Sequence, residues 1–179
     1  MSADLIFTTM SLGVGVAASH RIGHLLGANK PALARHVALS PYILSFALGA
    51  LELILIMCSR STFGYMFTSD PRVVAATAKV LPLMAIFQVL DLSNGGAGGI
   101  LRGARRNHLS GMCNFIAYYG VGLTSAWTFC FRMGFGLVGL WGGIITGSAA
   151  LLLLQTVCIV FLPWERAALE ASGDPDSSE

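Results

Sequence analysis

The sequence predicts an all-α protein that crosses a membrane several times, and three observations carry that expectation. Hydrophobic residues fill 55% of its 179 positions and charged residues only 11%. A soluble domain carries about 25% charged residues, so there is too little charge here to clothe a globule in polar surface. The apolar residues gather into five runs, over 5–26, 37–57, 73–101, 112–131 and 137–162, each matching the roughly 20 residues of a helical crossing. These runs are continuous and rich in Leu, Ala and Gly. They lack the roughly ten-residue alternating stretches of a membrane barrel strand, so helices, which satisfy their own backbone, are expected.

The first run ends among His20, Arg21 and His24. The second carries Pro41 one turn in and Glu52 towards its far end, where the carboxylate is expected to snorkel or to pair with Lys79. Between the second and third runs, Ser59–Arg72 brings Phe63, Tyr65, Met66 and Phe67 to an amphipathic segment suited to the membrane surface. The third run holds Pro82, which removes an internal hydrogen bond and kinks a helix. The fourth and fifth runs contain no charged residue. In the fifth, Gly139, Gly143 and Gly147 place small residues on one face, which lets helix backbones approach closely in lipid. Tyr42, Trp127, Trp141 and Trp164 lie near ends of runs, where aromatic rings prefer the interface. Residues 1–164 are therefore expected to form one membrane unit, and 165–179 a polar cytoplasmic tail, solvated and disordered beyond Ala171.

The placement of charge gives an orientation. Arg21, Lys30, Arg35, Arg102, Arg105, Arg106 and Arg166 fall on one side of this arrangement, whereas Arg60, Arg72 and Arg132 fall on the other. Basic residues in short loops favour the cytoplasm, so the Asn29 loop, the Arg105 loop and the C-terminus are placed there. Met1-Ser2-Ala3-Asp4 leads almost directly into a span, with no basic leader or cleavage site. An odd number of spans beginning so abruptly is expected to have lost an upstream portion. Cys58, Cys113, Cys130 and Cys158 are scattered without metal-binding spacing and read as small buried hydrophobes.

The most informative polar residues lie in the third run. Gln88, Asp91 and Asn94 follow at i, i+3, i+6 and make one polar stripe on an apolar rod. A charge at the bilayer centre costs about 2.5–3.5 kcal/mol on insertion scales, which marks Asp91 as a functional candidate facing a bundle interior or aqueous cavity. Dehydration penalises its charged form and a nearby cation favours it, so its charge state responds to which side of the membrane is open. Asn114 and Tyr118, at i and i+4 in the fourth run, are candidates to line the same cavity alongside Gln88 and Asn94, or else to bond between helices. The Gly95, Gly96, Gly98, Gly99 cluster has neither a preceding strand nor a following Gly-Lys-Ser/Thr, so it does not read as a phosphate loop. Nucleic acid is not among the expected partners.

Two loop motifs are more specific. The stretch Ala18-Ser19-His20-Arg21-Ile22-Gly23-His24-Leu25-Leu26-Gly27-Ala28-Asn29 resembles the Ser-Thr-Arg-x-Gly-Asn-x-Leu-Gly-Ala-Gly signature of the multidrug and toxic compound extrusion (MATE) family. Gly99-Ile100-Leu101-Arg102-Gly103, then Arg106, Gly111, Asn114 and Tyr118-Tyr119, resembles that family's second half, with Phe87-Gln88-x-x-Asp91, Gly139-Leu140-Trp141 and Trp164-Glu165-Arg166-Ala167 in the right order. The tail and the double tyrosine look closer to eukaryotic members. The resemblance implies twelve helices in two six-helix lobes, of which these five would be the last five. It implies export of organic cations and other small compounds in exchange for protons or sodium ions, with no further cofactor, and places Asp91 on the C-lobe acid implicated in ion coupling. It also implies partners: small-molecule substrates, membrane lipid and the missing N-terminal lobe. Arg21, Gly23, Gly27, Arg102 and Gly103 would form the cytoplasmic loop motifs. His20 and His24 depart from the usual Thr and Asn, while Asn29 and Arg105 stand where Gly is common.

Two other classes stay open. His20 and His24 at i, i+4 have a spacing a metal could use, as in a membrane-bound enzyme, although no third ligand lies close. A non-transporting remnant is the other, because alternating access needs one repeat to rock against a second.

Overall fold

In lipid a chain has no water with which to satisfy its backbone, so an apolar sequence of this kind closes its hydrogen bonds within helices. The computed structural model describes residues 2–58 and 71–173, with side chains placed for 9–58 and 80–173, and all the regular structure there is helical. In chain order come α1 (Ser2–Gly27), α2 (Pro31–Val37), α3 (Leu39–Cys58), α4 (Pro71–Gly103), α5 (Asn107–Phe115) and α6 (Leu123–Trp127), then α7 (Gly136–Val160) and α8 (Trp164–Ser172). Two π-helical stretches, Ile116–Gly122 and Thr128–Arg132, join and extend α5 and α6. Pro31–Cys58, Val80–Gly103 and Gly136–Val160 are long and apolar enough to cross a membrane.

The elements differ from the expected runs in instructive ways. The residues before the second span, read as a connection, instead form α2, for which Pro31 supplies a preset first helical position. Pro41 falls in the first turn of α3, where its missing N–H costs little. The fourth span is no uniform helix over 112–131. It starts at Asn107 and widens twice into π-turns, with Thr124 and Thr128 hydroxyls donating to the Gly120 and Thr124 carbonyls. The tail is not solvated from Glu165 onward: α8 packs on α1 and α2, burying Trp164, Ala167 and Ala168. Arg106 adds a 2.9 Å ion pair to Glu170. Most of the Ser59–Arg72 surface segment lies outside the described residues.

Helix α4 is the centre of the bundle and packs against α1, α3 and α7. What lets it do so is small residues on several faces. Towards α1, Gly95, Gly99 and Gly103 meet Ser11, Gly15 and Ser19, each set spaced by four, so the two backbones touch; a Cβ on Gly103 would stand 2.6 Å from the Ser19 carbonyl oxygen. Towards α3, Gly49 sits on Val89 and Gly96 on Ser45. The expected Gly139–Gly143–Gly147 face does bring backbones together: it seats α7 on Phe129, Ala126 and Gly122 of the fourth span. Where lipid is as apolar as the helices, such close approach is the main source of association.

Both basic loops end their helices in one way. Lys30 N–H bonds the Leu25 carbonyl and Asn29 N–H that of Leu26; Arg106 and Arg105 repeat the pattern on Leu101 and Arg102. This double bond pattern, a Schellman cap, needs a left-handed residue and favours Gly there. Asn29 and Arg105 occupy that position at φ 53° and 57°. The departures from the family's glycines thus fall where the backbone tolerates a side chain least, at about 1–2 kcal/mol for an ordinary residue and less for Asn. Arg105→Gly is expected to stabilise the protein by about 1 kcal/mol and Asn29→Gly by less, read as a rise in detergent unfolding temperature.

Candidate functional site

Asp91 stands near the middle of the apolar part of α4, partly buried, and the hydroxyl of Ser11 on α1 donates to its backbone carbonyl at 3.0 Å. Glu52 of α3 shares the buried face of Gly49, which sits on Val89 of α4, two residues before Asp91. The polar stripe does not point into a single space. Gln88 is buried at 3% exposure and Asn94 at 7%, while Asp91 between them keeps more access.

Asn94 is engaged between helices. Its Nδ2 donates to the Ser148 hydroxyl at 2.8 Å and to the Ser148 carbonyl at 3.2 Å, tying α4 to α7. Ser148 thus joins α4 to α7 while being wholly buried. Asn114 spends its amide on the Ser110 carbonyl one turn earlier in its own helix, at 2.8 Å. One turn towards the basic end from Asn94, Gln155 of α7 reaches the Ser110 hydroxyl at 3.4 Å beside Gly98. Asn94 Oδ1 and Gln155 Oε1 have no partner among the described residues, so this buried seam retains accepting capacity.

Sequence reasoning missed Ser148 and Gln155, although a signal existed: they sit seven apart, on one face of an otherwise apolar α7. Ser148→Ala would remove the shorter of the two bonds of the Asn94 amide and leave the one to the Ser148 carbonyl. Interhelical bonds in membranes average about 0.6 kcal/mol with a maximum near 1.7. With one bond lost, a fall of about 0.6 kcal/mol is expected in unfolding by SDS titration.

Glu52 was misplaced by sequence reasoning. It neither snorkels nor sits at an accessible end: its exposure is 3%, it faces α4, and neither carboxylate oxygen has a partner among the described residues. The Lys79 side chain lies outside those residues. Ser45, two turns before Glu52 on the same face, is also buried, with no partner for its hydroxyl among the described residues. Glu52 is accordingly a second acid within the apolar helices, on the face of α3 that packs against α4.

The loop-motif residues divide. Gly23 and Gly103 face each other where α1 meets α4, 3.6 Å from a Cβ on Gly23 to the Gly103 carbonyl oxygen. Gly27 has open space about it, Arg21 is exposed, and the Arg102 guanidinium lies over Gly15 and Gly98. His20 and His24 are exposed at the end of α1. Among the described residues no three His, Cys, Asp or Glu side chains gather as a metal site.

A bundle of close-packed apolar helices holding one buried and one partly buried acid matches known proteins directly. The sequence model of the MatE family covers residues 1–128. The chain belongs to the MatE family. It is 39% identical over 162 residues to an uncharacterized transporter of Schizosaccharomyces pombe, covering 88% of this chain and 29% of that one. It is 32% identical to multidrug and toxin extrusion protein 1 of Danio rerio, over 89% of this chain and 27% of that protein. The crystal structure of the eukaryotic MATE transporter AtDTX14 superposes with a TM-score of 0.87 at 26% identity, covering 93% of this chain and 37% of that one. The chain therefore spans about three-tenths of the length of its curated relatives. The membrane-embedded, all-helical MATE fold follows from this match.

Proposed function

We propose that this five-span unit is the ion-coupling part of a secondary antiporter, not an enzyme, that exports organic cations or related xenobiotics in exchange for protons or sodium ions. The observation that carries the reading is the pair of acids Asp91 and Glu52, held within the apolar depth of a MATE fold. Two carboxylates near each other repel in a medium that solvates neither well. A proton or small cation taken up between them removes that repulsion and lets α3 and α4 adjust. Asn94, one turn from Asp91 and bonded to Ser148 on α7, would pass such an adjustment to the next helix. Substrate export then follows if the coupling ion and the substrate favour opposite arrangements, which requires a second bundle to rock against this one.

The test is transport in proteoliposomes. A chimera joining residues 1–179 to the preceding helices of the Danio rerio relative is expected to export a fluorescent organic cation when a proton or sodium gradient is imposed. Collapsing each gradient separately names the ion. The 179 residues alone are expected to export nothing; efflux from them, or a chimera indifferent to both gradients, would overturn the proposal. A non-transporting remnant is the second reading, favoured by Asn29 and Arg105 in left-handed positions, and a correctly inserted but inactive chimera would support it.

A further inference from the structure

Helices α3 and α7 both lean on α4 yet do not pack on one another. At the basic end of the bundle they leave a cavity of about 430 Å³ between them, crossed by the Tyr42 hydroxyl and Thr156 Oγ1 at 3.1 Å. Its walls are apolar, with Leu39, Ile159 and Val160, and Trp164 closes one end. A second cavity of about 480 Å³ continues from it, sharing Arg35 and Trp164 and lined also by His36 and Arg166, with Glu165 the sole acid on its wall.

We propose that this groove binds one anionic phospholipid, with an acyl chain along Tyr42, Ile159 and Val160 and the phosphate between Arg35 and Arg166. An oily slot opening onto two guanidinium groups and an imidazole fits a molecule with one long apolar limb and one anion. Leu39 and Val160 remain 63% and 61% exposed, so the mouth is open to the side, where lipid arrives. The basic end is also the face that the charge distribution assigns to the cytoplasm, whose leaflet carries anionic lipid. Guanidinium forks suit phosphate better than a point charge would. The inference needs the helices to lie in lipid and is independent of whether the chain transports anything.

Native mass spectrometry of the purified chain with equimolar phosphatidylglycerol and phosphatidylcholine tests it. The chain is expected to retain phosphatidylglycerol selectively. Arg35→Ala and Arg166→Ala are each expected to cut that preference roughly fivefold, the weight of one basic group near an anionic surface. Val160→Trp, which fills the mouth without touching charge, is expected to reduce retention of the lipid. Arg105→Gly, at the same end but outside the groove, is expected to leave the preference intact. Equal retention of the two lipids by the unaltered chain overturns the proposal. So does a preference that survives loss of both arginines, which would place the lipid elsewhere, or one that falls equally with Arg105→Gly, which would indicate general surface attraction.

Discussion

Replacing Gly99 with Leu is expected to open the contact between α1 and α4 and to leave a protein that inserts but does not hold its bundle. A Cβ at this position already overlaps the backbone of Gly15, which has no side chain to move aside. Inserting methylenes into packed cores costs about 1–3 kcal/mol when side chains can give. Backbone cannot, so even Gly99→Ala is expected at the top of that range and Leu beyond it. Gly143→Leu against Ala126 should behave alike at the other interface. The control is Gly111→Ala, in open space on α5. There a methyl meets nothing and the helix gains about 0.5–1 kcal/mol over glycine. SDS-driven unfolding and the accessibility of a reporter cysteine at α1 would separate the cases. A Gly99→Leu protein as stable as the parent would show that α1 and α4 are not in backbone contact.

The same glycines show what a sequence of this kind makes legible. Gly139, Gly143 and Gly147 stood out because they recur every four residues within an uncharged run, and their close-packed role followed from helical geometry alone. The complementary Ser11, Gly15 and Ser19 face obeys the same period but passed unnoticed, because serine reads as polar before it reads as small. The all-helical, membrane-crossing character was legible from hydrophobic length, which lipid thickness fixes, and three of the expected runs are helices long and apolar enough to cross. The π-turns were not, since winding a helix by one extra residue per turn leaves composition unchanged. Helix α8 was hidden in a polar tail: its Trp164, Ala167 and Ala168 face occupies only a few positions, two of them as small as a methyl.

For the site, burial decided what the sequence could not. Asp91 was conspicuous as the charge deepest in its run, and position in the run is a fair guide to depth. Glu52 sits six residues before the end of α3 and looked free to reach the surface, yet rotation about the helix axis turns it onto α4. Rotation is set by packing, here by Pro41, Ser45, Gly49 and Ile56 on the same buried face. Asn94 shows a related effect: shared spacing with Asp91 suggested a shared environment, but three residues along the helix bring its side chain to a different neighbour, Ser148 of α7.

Asp91→Asn in the chimera with a full complement of helices is expected to abolish gradient-driven export while leaving the protein in the membrane. An amide keeps the shape and the hydrogen-bonding reach of the side chain but can neither take up a proton nor attract a cation. Removing a charge whose burial costs about 2.5–3.5 kcal/mol should leave stability level or raised, which separates lost coupling from lost folding. Coupling between two ligands is commonly 1–3 kcal/mol, or about 5–150-fold in affinity. Competition between substrate and coupling ion should therefore shrink from that range to none, measured as substrate affinity with and without the ion. Glu52→Gln is expected to weaken the competition without removing it, because Asp91 keeps its own charge. If the acids act as a pair, the double variant should resemble Asp91→Asn alone and not the product of the two effects, since neighbouring groups that share one ligand do not contribute additively. Export unchanged in Asp91→Asn would reject this carboxylate as the coupling group.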